Sequence, residues 1–168
     1  EHFQRFVLFT NYQRYVDEFI EFGKTEIEQG NTFRAFVAPG NAVSTNSRLT
    51  KEPDSGERVQ KLPQMPAYHL VADGHMGVTL VNIGVGPSNA KTITDHVAVL
   101  RPHCWVMVGH CGGLRHTQRL GDYVLAHAYA RLDHVLDADL PIAVPIPPIA
   151  EVQVALTAAV GDITGLSG

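Results

Sequence analysis

The chain has 168 residues, of which 45% are hydrophobic and 18% charged, with a formal net charge of −4 at pH 7. That balance excludes a disordered chain and a broad basic field for nucleic acid, and leaves enough residues for one domain with a sizeable core. No apolar run reaches the roughly 20 residues of a membrane span, and the opening "EHFQRFVLFT" lacks a signal peptide's apolar stretch and small-residue cleavage site. Two cysteines, Cys104 and Cys111, argue against a disulfide scaffold and point to reduced thiols in a cytoplasmic setting. A start at Glu1 without Met, and a stop at "DITGLSG" just behind a helical pattern, are the marks expected of a piece of a longer protein.

The elements follow in order. "RFVLF", Arg5 to Phe9, reads as a buried strand. In "NYQRYVDEFIEFGK", Tyr12, Tyr15, Val16, Phe19 and Ile20 recur at helical spacing, with Asn11 as a cap and Gly23 as a stop. "FRAFVAPGN", Phe33 to Asn41, is a second strand running into a turn. The stretch 41–66 is polar and rich in Ser, Thr, Pro and Lys, which predicts a long loop. "AYHLVAD" and "GVTLVNIG" read as strands joined at a "DG" hairpin signal. "PSNAKTITDHVAVL" is helical with Pro87 in its first turn, and "CWVMVG" reads as a fully buried strand. "GDYVLAHAYARLDH", Gly121 to His134, is expected to be mostly strand, and "EVQVALTAAVGDI" a helix.

From Val78 the order is strand, helix, strand. A unit of that kind predicts two parallel, neighbouring strands whose carboxyl ends face the same way. Each strand ends in a glycine cluster, Gly84-Val85-Gly86 and Gly109-His110-Cys111-Gly112-Gly113. In open α/β sheets ligands bind at that edge, so the two clusters are expected to converge on one pocket. Glycine lets backbone N–H groups approach a ligand, and a helix start favours an anion or hydroxyls. Alone, Gly84 and Gly86 fit a close strand–helix turn equally well. A dinucleotide motif G-x-G-x-x-G is disfavoured because Asn89 stands at its third glycine. A metal site built from His103-Cys104 and His110-Cys111 is opposed by reach, since seven strand residues span roughly 23 Å at about 3.3 Å each. His110 lies inside the glycine turn and is either a ligand contact or a turn residue. Arg14, in the first turn of the first helix, is either a solvated arginine or a bidentate anion contact. Arg34, ahead of the second strand, faces a ligand, a neighbouring subunit or solvent. Asp95 and His96 read as surface residues of the crossover helix.

Four segments together resemble the nucleoside phosphorylase/nucleosidase family, closest to its members that act on AMP: "LFTNYQRYVDEFIEFG", "FRAFVAPGN", "VNIGVGPSNAKTITDHVAVLRP" and "VMVGHCGGLRHTQRLGDYVLAHAYARLDHV". The resemblance covers nearly the whole chain and implies one incomplete catalytic domain over 1–168. The implied fold is a three-layer α/β/α sandwich with a mixed, partly barrel-like central sheet, the chain supplying its N-terminal half. The implied activity is hydrolysis of the N-glycosidic bond of AMP to adenine and ribose 5-phosphate, without a cofactor or metal. The implied partners are AMP and phosphate within a cytoplasmic homohexamer, with no nucleic acid and no membrane.

By the same resemblance Arg14 binds phosphate, Arg34 reaches a neighbour's site, Gly84, Val85 and Gly86 contact ribose, and Gly109, His110 and Cys111 lie beside phosphate and sugar. Two departures stand out. Where phosphorylases carry "RVGSCG" this chain reads "MVGHCG", so Met107 replaces an arginine and His110 a serine. Thr10 and Asn11 replace the glycine and aspartate of "PGDP". Both weaken a site for inorganic phosphate as nucleophile and leave room for water. The family's purine pocket, Met-Glu pair and catalytic aspartate fall beyond Gly168, so no general acid is assigned and the 168 residues alone are expected to be inactive. A purine nucleoside phosphorylase and a non-catalytic nucleotide-binding module stand as the alternatives.

Overall fold

The computed structural model describes residues 1–57, 59–132, 134 and 140–165. The chain forms two compact units, Glu1–Gly109 and His110–Gly168. The first is built on a six-stranded mixed sheet in the order β3-β2-β4-β5-β1-β6. The strands are β1 (Phe6–Thr10), β2 (Ala35–Ala38), β3 (Ala42–Thr45), β4 (Ala67–Val71), β5 (Val78–Asn82) and β6 (Cys104–Val108). Helix α1 (Gln13–Gln29) follows β1, and α2 (Pro87–Val99) follows β5. β1 is flanked on both sides by parallel partners, β5 and β6, which is why its "FVLFT" sequence is apolar almost throughout.

Alternation along the strands divides the core between the two sheet faces. Tyr68, Leu70 and Leu80 pack with Phe36 under Val16 and Phe19 of α1. Val7, Phe9, Val81 and Ile83 pack on the opposite face with Val97 of α2. One helix lies on each side of the sheet, which gives the expected three layers. Full burial of side chains such as Leu70 and Val7 contributes about 1.5–3 kcal/mol each.

The structure corrects several expectations. Gly23 does not end α1. A Cβ there would stand 2.5 Å from the Phe36 ring, so the glycine lets that ring lie against the helix backbone. The helix runs on to Gln29, and Gly30 N–H closes it on Glu26 O at 2.9 Å. The N-cap is Tyr12 rather than Asn11, and no side chain caps the end. The 41–66 stretch opens with a sheet strand, β3, which pairs antiparallel with β2, and Val43 then bridges to Ser55. Asp54 accepts from both the backbone N–H and the hydroxyl of Thr45, and these bonds hold its carboxyl below the usual range. Asn46 is fully buried, with Nδ2 at 3.0–3.4 Å from the carbonyls of Glu26, Gly30 and Phe33. It fastens the end of α1 to the segment behind β3.

β4 and β5 do form an antiparallel hairpin, but through a 3-10 turn at Asp73–His75, with Gly74 at φ 62° and His75 at φ 61°. β5 and β6 are parallel but not neighbours, because β1 lies between them. β6 is an edge strand and is not fully buried, with Trp105 at 39% and Met107 at 48% exposure.

In the second unit α3 (Ala150–Thr164) forms as expected and ends at Gly165 in the left-handed conformation, φ 70°. The strand expected over Gly121–His134 does not form among the described residues, and its Asp133 lies outside them. Tyr129 alone pairs, bridging to Ile146, while Tyr123, Val124 and Leu132 are exposed. An alternating pattern makes a strand only where a partner continues the ladder. Among the described residues no helix is long and apolar enough to cross a membrane.

One largely buried titratable group gives the first unit a pH signature. His69, in mid-sheet, shares a 2.9 Å hydrogen bond between Nδ1 and Thr79 Oγ1, and Thr79 Oγ1 also accepts from Gln4 N–H. Burial, helped by the nearby charge of His2, pushes His69 down to about 4 from an ordinary value of 6.5. Its neutral form belongs to the folded state, so the unfolded chain binds the extra proton between those values. Stability contributed by neutral His69 is complete above 6.5 and is lost as pH falls through about 4, a loss of up to about 3 kcal/mol. Urea unfolding from pH 7 to pH 4 should show His69→Gln losing less stability than the wild type over that window. Parallel losses would show that His69 does not titrate as described.

Candidate functional site

Strand register fixes the place of the site. Thr10 pairs with Asn82 on one side and Val108 on the other, so three parallel strands end at one level. The turn Gly84-Val85-Gly86, the start of α1 and Gly109 all leave from that edge. Ile83 N–H donates to Thr10 O at 2.8 Å and Tyr12 N–H to Thr10 Oγ1 at 3.2 Å, which binds the strand ends together.

The glycine turn is clamped from two directions. Asn82 Oδ1 accepts from Gly84 N–H at 3.1 Å, and Asn89 Nδ2 donates to Val85 O at 3.0 Å. Gly84 has φ 67° and Gly86 φ 102°, conformations that side-chain-bearing residues rarely adopt. Among the described residues no hydrogen bond takes the N–H groups of Val85 or Gly86. Gly86 caps α2, and a Cβ there would meet nothing within 4 Å. The turn therefore presents two unused donors, with a helix N-terminus behind them, to open space. That arrangement suits hydroxyl or anionic oxygens.

Arg14 stands in the first turn of α1, at the same edge. Its side chain is 76% exposed and its ion pair with Glu18 is stretched to 3.8 Å, a contact worth little. Asn11 Oδ1 lies 3.8 Å from where a Cβ of Gly109 would sit, so the β1 and β6 ends meet closely there. Met107, where the sequence departs from an arginine, helps line an apolar cavity of about 220 Å³ between α2 and the sheet, with Phe9, Ile83, Ile93 and Trp105. It brings no positive charge to this edge.

Arg34 is not brought to this edge. Its N–H donates to Val71 O at 2.7 Å and its guanidinium pairs with Asp73, at the opposite end of the sheet. Across one sheet, five strand residues separate the two edges, roughly 16 Å at about 3.3 Å per residue. Arg14 and Arg34 of one chain thus do not share an anion. His110 and Cys111 are exposed residues that open the second unit. Asp95 and His96 are exposed on α2, as expected, with Asp95 paired to Lys91 at 2.9 Å. Among the described residues no group of three or more His, Cys, Asp or Glu could hold a metal ion. Sequence reasoning passed over Asn82 and Gln13 as site residues, and noted Asn89 only as a missing glycine. Their signal was an amide at a strand end or in a helix's first turn beside a glycine turn.

No protein-family model matches the chain. It is 56% identical over 170 aligned residues to AMP nucleosidase of Escherichia coli, strains K12 and O157:H7, an alignment that covers 100% of this chain and 35% of each relative. The chain thus spans about a third of the length of those curated relatives. It is 22% identical to uridine phosphorylase of Thermococcus kodakarensis, over 84% of this chain and 53% of that one. Among solved structures it is similar to AMP nucleosidase from Bacteroides thetaiotaomicron, with a TM-score of 0.66 and 28% identity, over 98% of this chain and 56% of that one. Purine nucleoside phosphorylase from Toxoplasma gondii, in complex with immucillin-H, shares the fold at TM-score 0.68 and 14% identity, over 99% of this chain and 54% of that one.

The backbone of Gly86 is a direct test of the turn. With no clash to relieve, Gly86→Ala carries only the conformational penalty, about 1–3 kcal/mol. Gly112 has equal space and no left-handed backbone, so Gly112→Ala should stay within about 1 kcal/mol of wild type. Thermal unfolding of the two variants should separate them in that order. Equal midpoints would mean that the turn does not hold the φ described.

Proposed function

We propose, on the premise that this chain is homologous along its whole length to a segment of AMP nucleosidase, that the protein hydrolyses the N-glycosidic bond of AMP to adenine and ribose 5-phosphate. The observation that carries the reading is the 56% identity over the entire chain. The geometry at the strand edge supports it. The Val85 and Gly86 N–H groups suit ribose hydroxyls, and Arg14 with the start of α1 suits a 5′-phosphate. Gly109, His110 and Cys111 are proposed to lie beside phosphate and sugar.

The reaction breaks C1′–N9 and forms C1′–O with water. Water gives up one proton and the departing purine takes one. Cleavage of this kind develops positive charge on the sugar, and binding the phosphate and ribose remote from C1′ holds that carbon for attack. The acid that protonates the purine is not among the residues assigned here. Met107 favours water over inorganic phosphate as nucleophile, because an apolar side chain stands where phosphorylases carry a cation. Arg34, at the far edge of its own sheet, would serve only in the site of a second copy, which fits a homo-oligomer, proposed as a hexamer. The proposed setting is the cytoplasm.

The test is adenine release from AMP by the full-length protein, with and without inorganic phosphate, with the sugar product identified. Release of ribose 5-phosphate without added phosphate is expected. Strict dependence on phosphate would return the protein to the phosphorylases.

Arg14→Ala should raise KM for AMP at least about tenfold with a smaller change in kcat, the cost of one charge-assisted contact to the phosphate. Unchanged steady-state constants would remove Arg14 from the site.

A further inference from the structure

The glycine turn and the Arg14-bearing turn of α1 are joined by side chains that the proposed chemistry does not itself use. Asn82 closes β5. Its Oδ1 accepts from Gly84 N–H at 3.1 Å, and its Nδ2 donates to Gln13 Oε1 at 3.4 Å. Gln13 Nε2 in turn donates to Asp17 Oδ1 at 2.9 Å. Both ends of this chain are chemically unambiguous. A carboxylate only accepts, so Gln13 must turn its N–H₂ to Asp17 and its oxygen to Asn82. Gly84 N–H only donates, so Asn82 must turn its oxygen to the turn and its N–H₂ to Gln13. The two amides have one orientation that satisfies every link, and it is the one observed.

We infer that Asn82 and Gln13 are positioning residues that set the distance between the glycine turn and the first turn of α1, and so match the site to a sugar that carries a 5′-phosphate. This rests on the reaction proposed above. Gln13 precedes Arg14 in the chain, so any shift of Gln13 moves the backbone that carries the guanidinium. Asn82 is two residues from Gly84 and fixes its amide, so any shift of Asn82 moves the donors of Val85 and Gly86. On the other side, Asn89 grips Val85 O and holds the turn against α2. The relay is therefore a side-chain tie from the turn to α1. A ligand that bridges both subsites needs it, and one that occupies the sugar subsite alone does not.

The experiment is a double-mutant cycle in the full-length protein with Gln13→Leu and Asn82→Ala, reading kcat/KM for AMP and for adenosine. Each single variant should lower kcat/KM for AMP about tenfold, and the double variant should lose little more than either single. On adenosine the loss from Gln13→Leu, which leaves the Asn82–Gly84 bond in place, should stay within about twofold. Losses on AMP that multiply, or an equal loss of Gln13→Leu on AMP and adenosine, overturn the relay. If Asn82→Ala does not fold, Gln13→Leu with Asp17→Leu runs the same cycle on the exposed face of α1, where the same non-additivity is expected. A wild-type protein that releases no adenine from AMP overturns the reaction and the relay's role with it. Wild-type release with multiplying losses overturns the relay alone.

Discussion

Everything in the first unit depends on β1 lying between two parallel partners. Its register brings Asn82, Thr10 and Val108 to one level. The chain leaves β1 into α1, leaves β5 into the glycine turn and α2, and leaves β6 through Gly109. Three separate exits become one edge because hydrogen bonding between parallel strands leaves no freedom to slide: a slip of one residue would exchange the core faces of β1. The α1 and α2 layers then follow from alternation, with Leu80 facing one helix and Val81 the other.

Buried polar groups hold the parts that this sheet cannot. Gln4 is fully buried and accepts with Oε1 from Ala72 N–H at 3.2 Å and Gly77 N–H at 3.0 Å. A Cβ on Gly77 would stand 1.9 Å from Leu70 O, so glycine is required where the hairpin turns back. Gln4 closes the amino-terminal segment over that turn, as Asn46 closes α1 over the β3 segment. Leaving such buried groups unpaired costs about 1–3 kcal/mol each, more than most surface contacts supply. The sheet orders the site edge, and these two amides order the far one.

Local signals in the sequence carried well where one residue type answers to one backbone need. Pro87 marked the start of α2, and the "DG" pair marked the β4–β5 reversal. They failed where the answer lay in a partner far along the chain. Gly23 looked like a helix stop because nothing nearby announces the Phe36 ring that needs its space. The insertion of β1 between β5 and β6 is likewise invisible from the strand-helix-strand order, since a crossover joins neighbours more often but passes over an intervening strand as well. Among the described residues the apolar alternation from Gly121 to His134 met only one pairing partner, Ile146. The glycine turn was legible because both φ values demand glycine. Its clamps were not, because Asn82 and Asn89 are common residues whose role appears only once the turn has shape.

Arg14 and Arg34 show how topology sorts like residues into unlike tasks. Both are exposed arginines beside the first or second strand. The antiparallel turn of β4 against β5 carries β2's start to the end of the sheet opposite the glycine turn, where Arg34 meets Asp73. An ion pair between groups this exposed is weak, so Arg34 can leave Asp73 for a stronger anion at small cost. No anion bound at its own chain's glycine turn lies within reach. One chain therefore offers a cation at each end of its sheet. The same strand order that gathers three strand exits at one edge sets the second arginine at the other.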